Sequence, residues 1–131
     1  MIVLDASVAL RILNDRDELT SHVALLANHG GDEIHAPAHF AVEVLNALRG
    51  LMLRGHFTFT EFTDRAALVA RFPVYLHDAR DSVARIAELA HNATPYDAAY
   101  LALAERLDCP LVTCDTKLAD IPGTRAKVLI L

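Results

Sequence analysis

Five short apolar runs, each closed by polar or turn-forming residues, alternate along this chain with longer stretches whose apolar residues recur every three to four positions. That alternation constrains the fold more than any other feature, because strands separated by helices pair in parallel and need helices on both faces of the sheet. MIVL is β-branched and apolar and reads as a buried strand, and Ser7 to Leu13 begins a helix with Ala9, Leu10 and Leu13 on one side. A second helix is predicted through TSHVALLANH, stopping at Gly30 and Gly31, before a strand around EIHA and a break at Pro37. AHFAVEVLNALRGLMLRG follows as a strong helix with Ala41, Val44, Leu45, Leu48 and Met52 on one stripe, closed by Gly55. FTEFTDRAALVARF, entered at Thr58, is a further helix, PVYLH a strand and DSVARIAELAHN another helix. Thr94 and Pro95 then take the N-cap and first-turn positions of the next helix. CPLVTC and AKVLIL complete the strands. The expected architecture is an α/β fold with a parallel, doubly wound sheet between helix layers, in one domain spanning 1–131.

A chain of 131 residues that is 53% hydrophobic has material for one core and is short for two. The opening apolar run is too short, and too soon interrupted by Asp5, for a secretory leader, and no stretch approaches the roughly 18 apolar residues of a membrane span. A cytoplasmic protein is expected. Its only cysteines, Cys109 and Cys114, read as reduced, with Cys114 buried in a strand. The net charge of −5 excludes a protein that holds nucleic acid simply by being basic, though not an enzyme that acts on it.

The acids can be placed on this scaffold. Asp5 and Asp115 each end a strand, and in open parallel sheets ligands bind beyond the carboxyl ends of the strands. Asp97 lies in the first turn of a helix that is apolar almost all round, so its start faces the sheet edge. Glu43 sits off its helix's apolar stripe, on the face with Ala47 and Gly50. Singly each acid has a plainer role: Asp5 as a cap of the helix near Ser7, Asp97 in a capping box with Thr94, Asp115 in a turn, Glu43 on a solvated face. Their joint placement favours convergence.

Two like charges about 4 Å apart repel by roughly 4 kcal/mol at an effective dielectric near 20, so a cluster of four carboxylates needs a cation. An all-oxygen donor set suits Mg²⁺, with Mn²⁺ a possible substitute, and leaves positions open for phosphate and water. Such a centre hydrolyses phosphodiesters.

The stretches MIVLDASVAL, APAHFAVEVLNALRG, TPYDAAYLALAERL and LVTCDTKLA resemble the four signature segments of the PIN domain, and closely those of the VapC toxins of VapBC toxin–antitoxin systems. They run nearly the whole chain in family order. The resemblance implies a PIN-like fold with Asp5, Glu43, Asp97 and Asp115 as the acidic quartet, Asp5 and Asp97 being the usual Mg²⁺ contacts. Ser7 and Thr113 would orient Asp5 and a water, or serve as cap and strand residues. It also implies a homodimer, a cognate VapB-type antitoxin, and cleavage of structured RNA such as tRNA or rRNA. Some members carry a further acid two residues after the last aspartate; here that position is Lys117, with Asp120 the nearest candidate to compensate.

Other features leave alternatives open. His39 lies four residues before Glu43, without a partner histidine at ligand spacing. Arg11, Arg49, Arg54, Arg80 and Arg85 either flank an RNA groove or solvate helices. Phe57, Phe59, Phe62 and Leu68 either form a partner surface or cover the sheet. A phosphotransfer receiver domain shares the layout but wants adjacent acids after the first strand, where Ala6 and Ser7 follow Asp5. A non-catalytic module that binds RNA or a partner is the remaining alternative.

Overall fold

Successive residues of a strand face opposite sides of its sheet, so a first strand reading Ile2, Val3, Leu4 with every position buried must be covered on both faces. The computed structural model, which describes residues 1–14 and 33–131, has that arrangement. Its five strands are β1 (Ile2–Leu4), β2 (Ile34–Pro37), β3 (Tyr75–His77), β4 (Leu111–Thr113) and β5 (Val128–Ile130). All pair in parallel in the order β3-β2-β1-β4-β5. Val3 and Ala36 join one core cluster and Ile2 and Leu4 a second, in which they meet Val8 and Ile12. The expected parallel, doubly wound α/β fold is what the chain adopts. The strand order reverses between β1 and β4, the place where open sheets leave a crevice for ligands.

The described helices are α1 (Ala6–Asn14), α2 (Phe40–Leu53), α3 (Phe59–Val69), α4 (Val83–Glu88) and α5 (Pro95–Leu107). The helix expected through TSHVALLANH lies outside the described residues. In α5 every residue from Ala98 to Ala104 is buried, as its unbroken apolar sequence requires. Among the described residues no helix is long and apolar enough to cross a membrane.

Several boundaries differ from the sequence reading. Pro37 is the last residue of β2 rather than a break before it ends. The deepest residues of α2 are Phe40, Val44 and Leu48, while Ala41, Leu45 and Met52 are half-buried against the core. Gly55, with φ 82°, closes this helix by donating to the Met52 carbonyl. A reciprocal capping box of Thr58 and Glu61 opens α3, which ends at Val69 because Pro73 cannot continue it and Arg71 and Phe72 turn back onto Leu68 and Val69. Phe57 is buried and Phe62 half-buried, whereas Phe59 and Leu68 are exposed, so this aromatic group divides between core and surface. The helix read across 81–92 is shorter: a 3₁₀ turn at Ala79–Ser82, capped by Asp78, leads into α4, and the chain unwinds after Glu88. It must become extended at Thr94 (ψ 155°), as a residue before proline does. Cys114 lies one residue beyond β4 and is half-buried, not inside the strand; neither cysteine is in a disulfide.

Glu105, near the end of α5, ties the return of the chain to the helix layer. Arg85 of α4 grips it at 2.7 and 3.0 Å, and the Arg125 amide and Thr124 hydroxyl donate at 2.7 and 3.3 Å. The Arg85 bonds, aided by the Arg125 amide, hold the Glu105 carboxyl at about 2 against burial, which acts the other way. A carboxyl depressed in the fold adds stability above its ordinary value and loses it as the pH falls through the folded value. Glu105→Gln should therefore cost about 1.5–3 kcal/mol at neutral pH. In urea unfolding that deficit should close between about pH 4.5 and 2; a deficit independent of pH would contradict the account.

Candidate active site

Asp5 follows β1 directly and is 5% exposed. Its carboxylate oxygen Oδ2 accepts the Ser7 hydroxyl, the Ser7 amide at 3.3 Å and the Thr113 hydroxyl at 2.8 Å. Each hydroxyl also accepts: Ser7 Oγ from the Cys114 amide at 3.0 Å, Thr113 Oγ1 from the Asp115 amide at 2.9 Å. One network thus orients Asp5 and sets the path of the chain beyond β4. Oδ2 is thereby committed within the protein.

Thr94 caps α5 by accepting the Asp97 amide at 3.2 Å, so the first turn is fixed and the Asp97 side chain projects at its start. Burial pushes the Asp97 carboxyl up; a hydrogen bond with Thr94 opposes this, Asp5 and Asp115 add to it, and His39 opposes it. Glu43, in the first turn of α2, accepts the Tyr100 hydroxyl at 2.9 Å on Oε2. Its carboxyl is also raised, by burial first, then by Asp5 and Asp97 against the Tyr100 bond. Burial and the facing Glu43 carboxylate lift the Tyr100 phenol well above its ordinary range, so it remains a donor. His39, at the N-cap position of α2, lies 3.5 Å from Glu43 Oε2 with its Nε2 buried and without a hydrogen-bond partner. Burial holds this imidazole below its usual value despite Asp5 and Asp97.

Asp115 caps the 3₁₀ turn at Thr116–Asp120 through its Oδ1 and the Lys117 amide, 2.9 Å apart. Lys117 and Asp120 are exposed, and neither is among the groups acting on Asp97 or Glu43. Asp5, Glu43, Asp97 and Asp115 therefore share one electrostatic neighbourhood at the sheet's reversal point. They do not form a closed cage: among the described residues no three His, Cys, Asp or Glu side chains are grouped to hold an ion by themselves. Mg²⁺ takes one or two protein carboxylates and completes its octahedron with water and phosphate, so an open, mutually repelling all-oxygen set fits that hydrated cation. Away from the carboxylates, His35 and His77 bond each other at 2.9 Å across β2 and β3.

The sequence reading passed over Tyr100, Tyr96 and Asn46. Tyr100 stands three residues after Asp97, hence on the same helix face, a spacing that was available. Tyr96 and Asn46 line a cavity of ≈ 420 Å³ with His39, Glu43 and Asp97. A second cavity, ≈ 400 Å³, lies at the far end of α5, where its carboxylate Glu105 is already committed to arginines. Of the arginines considered, Arg80 is bound to Asp78 and Arg85 to Glu105 and Glu88.

An open α/β sheet with carboxylates gathered at its reversal point defines a class of hydrolytic and phosphate-handling folds, and sequence comparison narrows it. The pattern of the PIN domain matches residues 2–123, and the chain belongs to that family, in its VapC branch. Ribonuclease VapC12 of Mycobacterium tuberculosis is 36% identical over 130 residues, covering 98% of this chain and 97% of the relative. Two solved structures share the fold. M. tuberculosis VapC20, described as a sarcin–ricin loop cleaving toxin, has a TM-score of 0.67 at 15% identity, covering 95% of this chain and 96% of its own. VapBC2 from Rickettsia felis, bound to a DNA fragment from their promoter, has 0.69 at 16%, covering 99% and 98%.

Two measurements follow from the geometry. A carboxyl raised in the fold stabilises it below the ordinary value and loses that contribution as the pH rises through the folded value. Without divalent ions, Asp97→Asn should unfold at higher urea than the parent at neutral pH, with the advantage vanishing below about pH 3.8; a less stable variant at neutral pH would refute the account of a carboxylate raised by burial and its neighbours. Thr113→Val should cost about 1–3 kcal/mol by stranding the Asp115 amide and removing one donor from the Asp5 carboxylate. In a double-mutant cycle with Ser7→Ala the two changes should couple by about 0.5 kcal/mol or more, where strict additivity would deny the shared network.

Proposed function

We propose that residues 1–131 act as a single PIN domain, a Mg²⁺-dependent endoribonuclease that also accepts Mn²⁺ and is the toxin of a toxin–antitoxin pair. The observation that carries this reading is the set of four carboxylates at the reversal point, two of them raised by burial and by their carboxylate neighbours. Kinship with VapC12, a ribonuclease, supports RNA as substrate, and the sarcin–ricin loop cleavage stated for VapC20 supports structured RNA, rRNA or tRNA. A VapB-type antitoxin as partner, a homodimer and a cytoplasmic location belong to the same proposal.

When bound, the ion offsets the carboxylate charge, acidifies water and neutralises charge developing on the phosphate. Asp5, its Oδ2 held by Ser7 and Thr113, and Asp97, at the start of α5, would hold that ion. Tyr100 fixes Glu43 through Oε2, which leaves Oε1 to receive a proton from the attacking water. A raised carboxyl is a better proton acceptor than an ordinary one and lies nearer the working pH. Asp115 helps orient that water. Oxygen attacks phosphorus in line, the bond to O3′ breaks, and the 3′ oxygen leaves and takes a proton from solvent. The products are a 3′-hydroxyl and a 5′-phosphate.

Incubation of the protein with total bacterial RNA should give discrete cuts that require Mg²⁺, stop with EDTA and fall at least about 100-fold in Asp97→Asn. Mapped ends should carry 5′-phosphate. A 2′,3′-cyclic phosphate would instead implicate the RNA's own 2′-hydroxyl, and activity unchanged in EDTA would remove the ion from the reaction.

A further inference from the structure

Tyr96 precedes Asp97 in the first turn of α5 and leaves 64% of its surface in water. Beside it Val42 is 69% exposed, and both line the ≈ 420 Å³ cavity that has Glu43 and Asp97 among its walls. Exposed apolar groups at the rim of a site for a charged reaction call for an explanation other than solubility. The Tyr96 ring is also braced: the His39 ring meets it edge-on at 5.4 Å and 77°, and meets Tyr100 the same way at 5.4 Å and 80°. His39 thereby links the exposed ring to the tyrosine that holds Glu43. Asn46, exposed one helical turn beyond Val42, brings an amide that can both donate and accept to the same cavity.

Charge indicates what such a surface can hold. The cavity walls carry two carboxylates and no cationic side chain apart from the weakly basic His39, and the chain as a whole carries −5. These side chains by themselves do not retain a polyanion by its phosphates, since ion pairing of that kind needs lysine or arginine along the backbone path. Stacking of a base on an aromatic ring needs no charge and operates on any base that is unpaired. We propose that Tyr96 is the stacking platform for one unpaired base of the RNA substrate, next to the scissile phosphate, with Asn46 reading that base's edge. This rests on the ribonuclease reading and adds to it the residues that would contact an unpaired base at that site.

The chain has no tryptophan, so Tyr96→Trp supplies a single reporter. Binding of hexauridylate RNA and of an abasic ribose-phosphate chain of equal length is to be followed by Trp emission. Anisotropy reports the same binding for the unsubstituted protein, Tyr96→Phe and Tyr96→Ala, in Ca²⁺ and in EDTA. The base-bearing chain should quench the reporter and the abasic one should not. Tyr96→Ala should bind hexauridylate about 5- to 150-fold more weakly, Tyr96→Phe nearly as well as the parent. Between about 50 and 200 mM salt, affinity should fall by about 3-fold or less, as for one phosphate contact. Equal binding of the two chains, parental affinity in Tyr96→Ala, a steep salt dependence, or no binding of hexauridylate in either buffer overturns the proposal. So does a Tyr96→Ala variant that loses only an antitoxin's protein segment. Cleavage assays on the same variants separate the two readings: stacking without Mg²⁺-dependent cuts refutes the nuclease and keeps the base site, whereas cuts with an unchanged KM in Tyr96→Ala do the reverse.

Discussion

Three hydrogen-bond donors converge on a single oxygen of Asp5, and much of the molecule's functional end is arranged around that fact. Moving one carboxylate out of water has an effective cost of several kcal/mol, and each hydrogen bond to a charged group contributes about 1.5–3 kcal/mol. Three donors are thus of the size needed to keep a 5%-exposed aspartate in place. The same two hydroxyls receive the amides of Cys114 and Asp115, so the carboxylate also fixes the chain where it leaves β4. Those strands are neighbours only because the sheet reverses there, and the reversal opens the crevice. An aspartate at the end of MIVL is therefore both the clasp between the two halves of the sheet and the innermost carboxylate of the site.

Glu43 and Asp97 are treated differently. Glu43 is compensated by the Tyr100 hydroxyl and Asp97 by Thr94, and burial outweighs both. The chain spends its donors on the acid that organises the backbone and leaves the other two raised by burial and by neighbouring carboxylates. Local rules of polar satisfaction are broken where chemistry is expected and kept elsewhere, as at Glu105. A cation entering this neighbourhood relieves unfavourable charge already present, so its binding and the stability of the site are coupled.

What the sequence disclosed follows from which forces are local. Strand and helix alternation, the Thr94 cap and the placement of Asp5 and Asp115 at strand ends depend on periodicity and neighbouring residues, and all were readable. Ends of elements were less so: α4 stops early because the chain must reach an extended Thr94, and α3 stops at a turn forced by Pro73. Phe40 falls on the Val44 and Leu48 stripe of α2, and its ring packs 5.7 Å from that of Phe72, a contact across the fold that periodicity does not show. Tyr100 in an apolar helix reads as core by any periodic measure. That its hydroxyl meets a carboxylate 57 positions earlier is a tertiary fact.

The arginines show the same limit with a larger consequence. Ten of the 12 basic residues are Arg, which in sequence suggests a surface fit for phosphate. In the fold, Arg85 and Arg125 are bound to Glu105, Arg80 to Asp78, Arg106 to Asp81, and Arg65 lies over the Phe57 ring at 4.3 Å. Each such pairing withdraws positive charge from the field that an approaching polyanion meets, and the net charge of −5 then dominates at long range. An acidic protein in which four of the ten arginines are paired with its own carboxylates has that much less positive charge with which to gather RNA from solution. Whatever RNA it engages must be selected at contact distance by shape, stacking and a metal-organised phosphate, so the specificity of such a small chain depends on the few residues around Glu43 and Asp97.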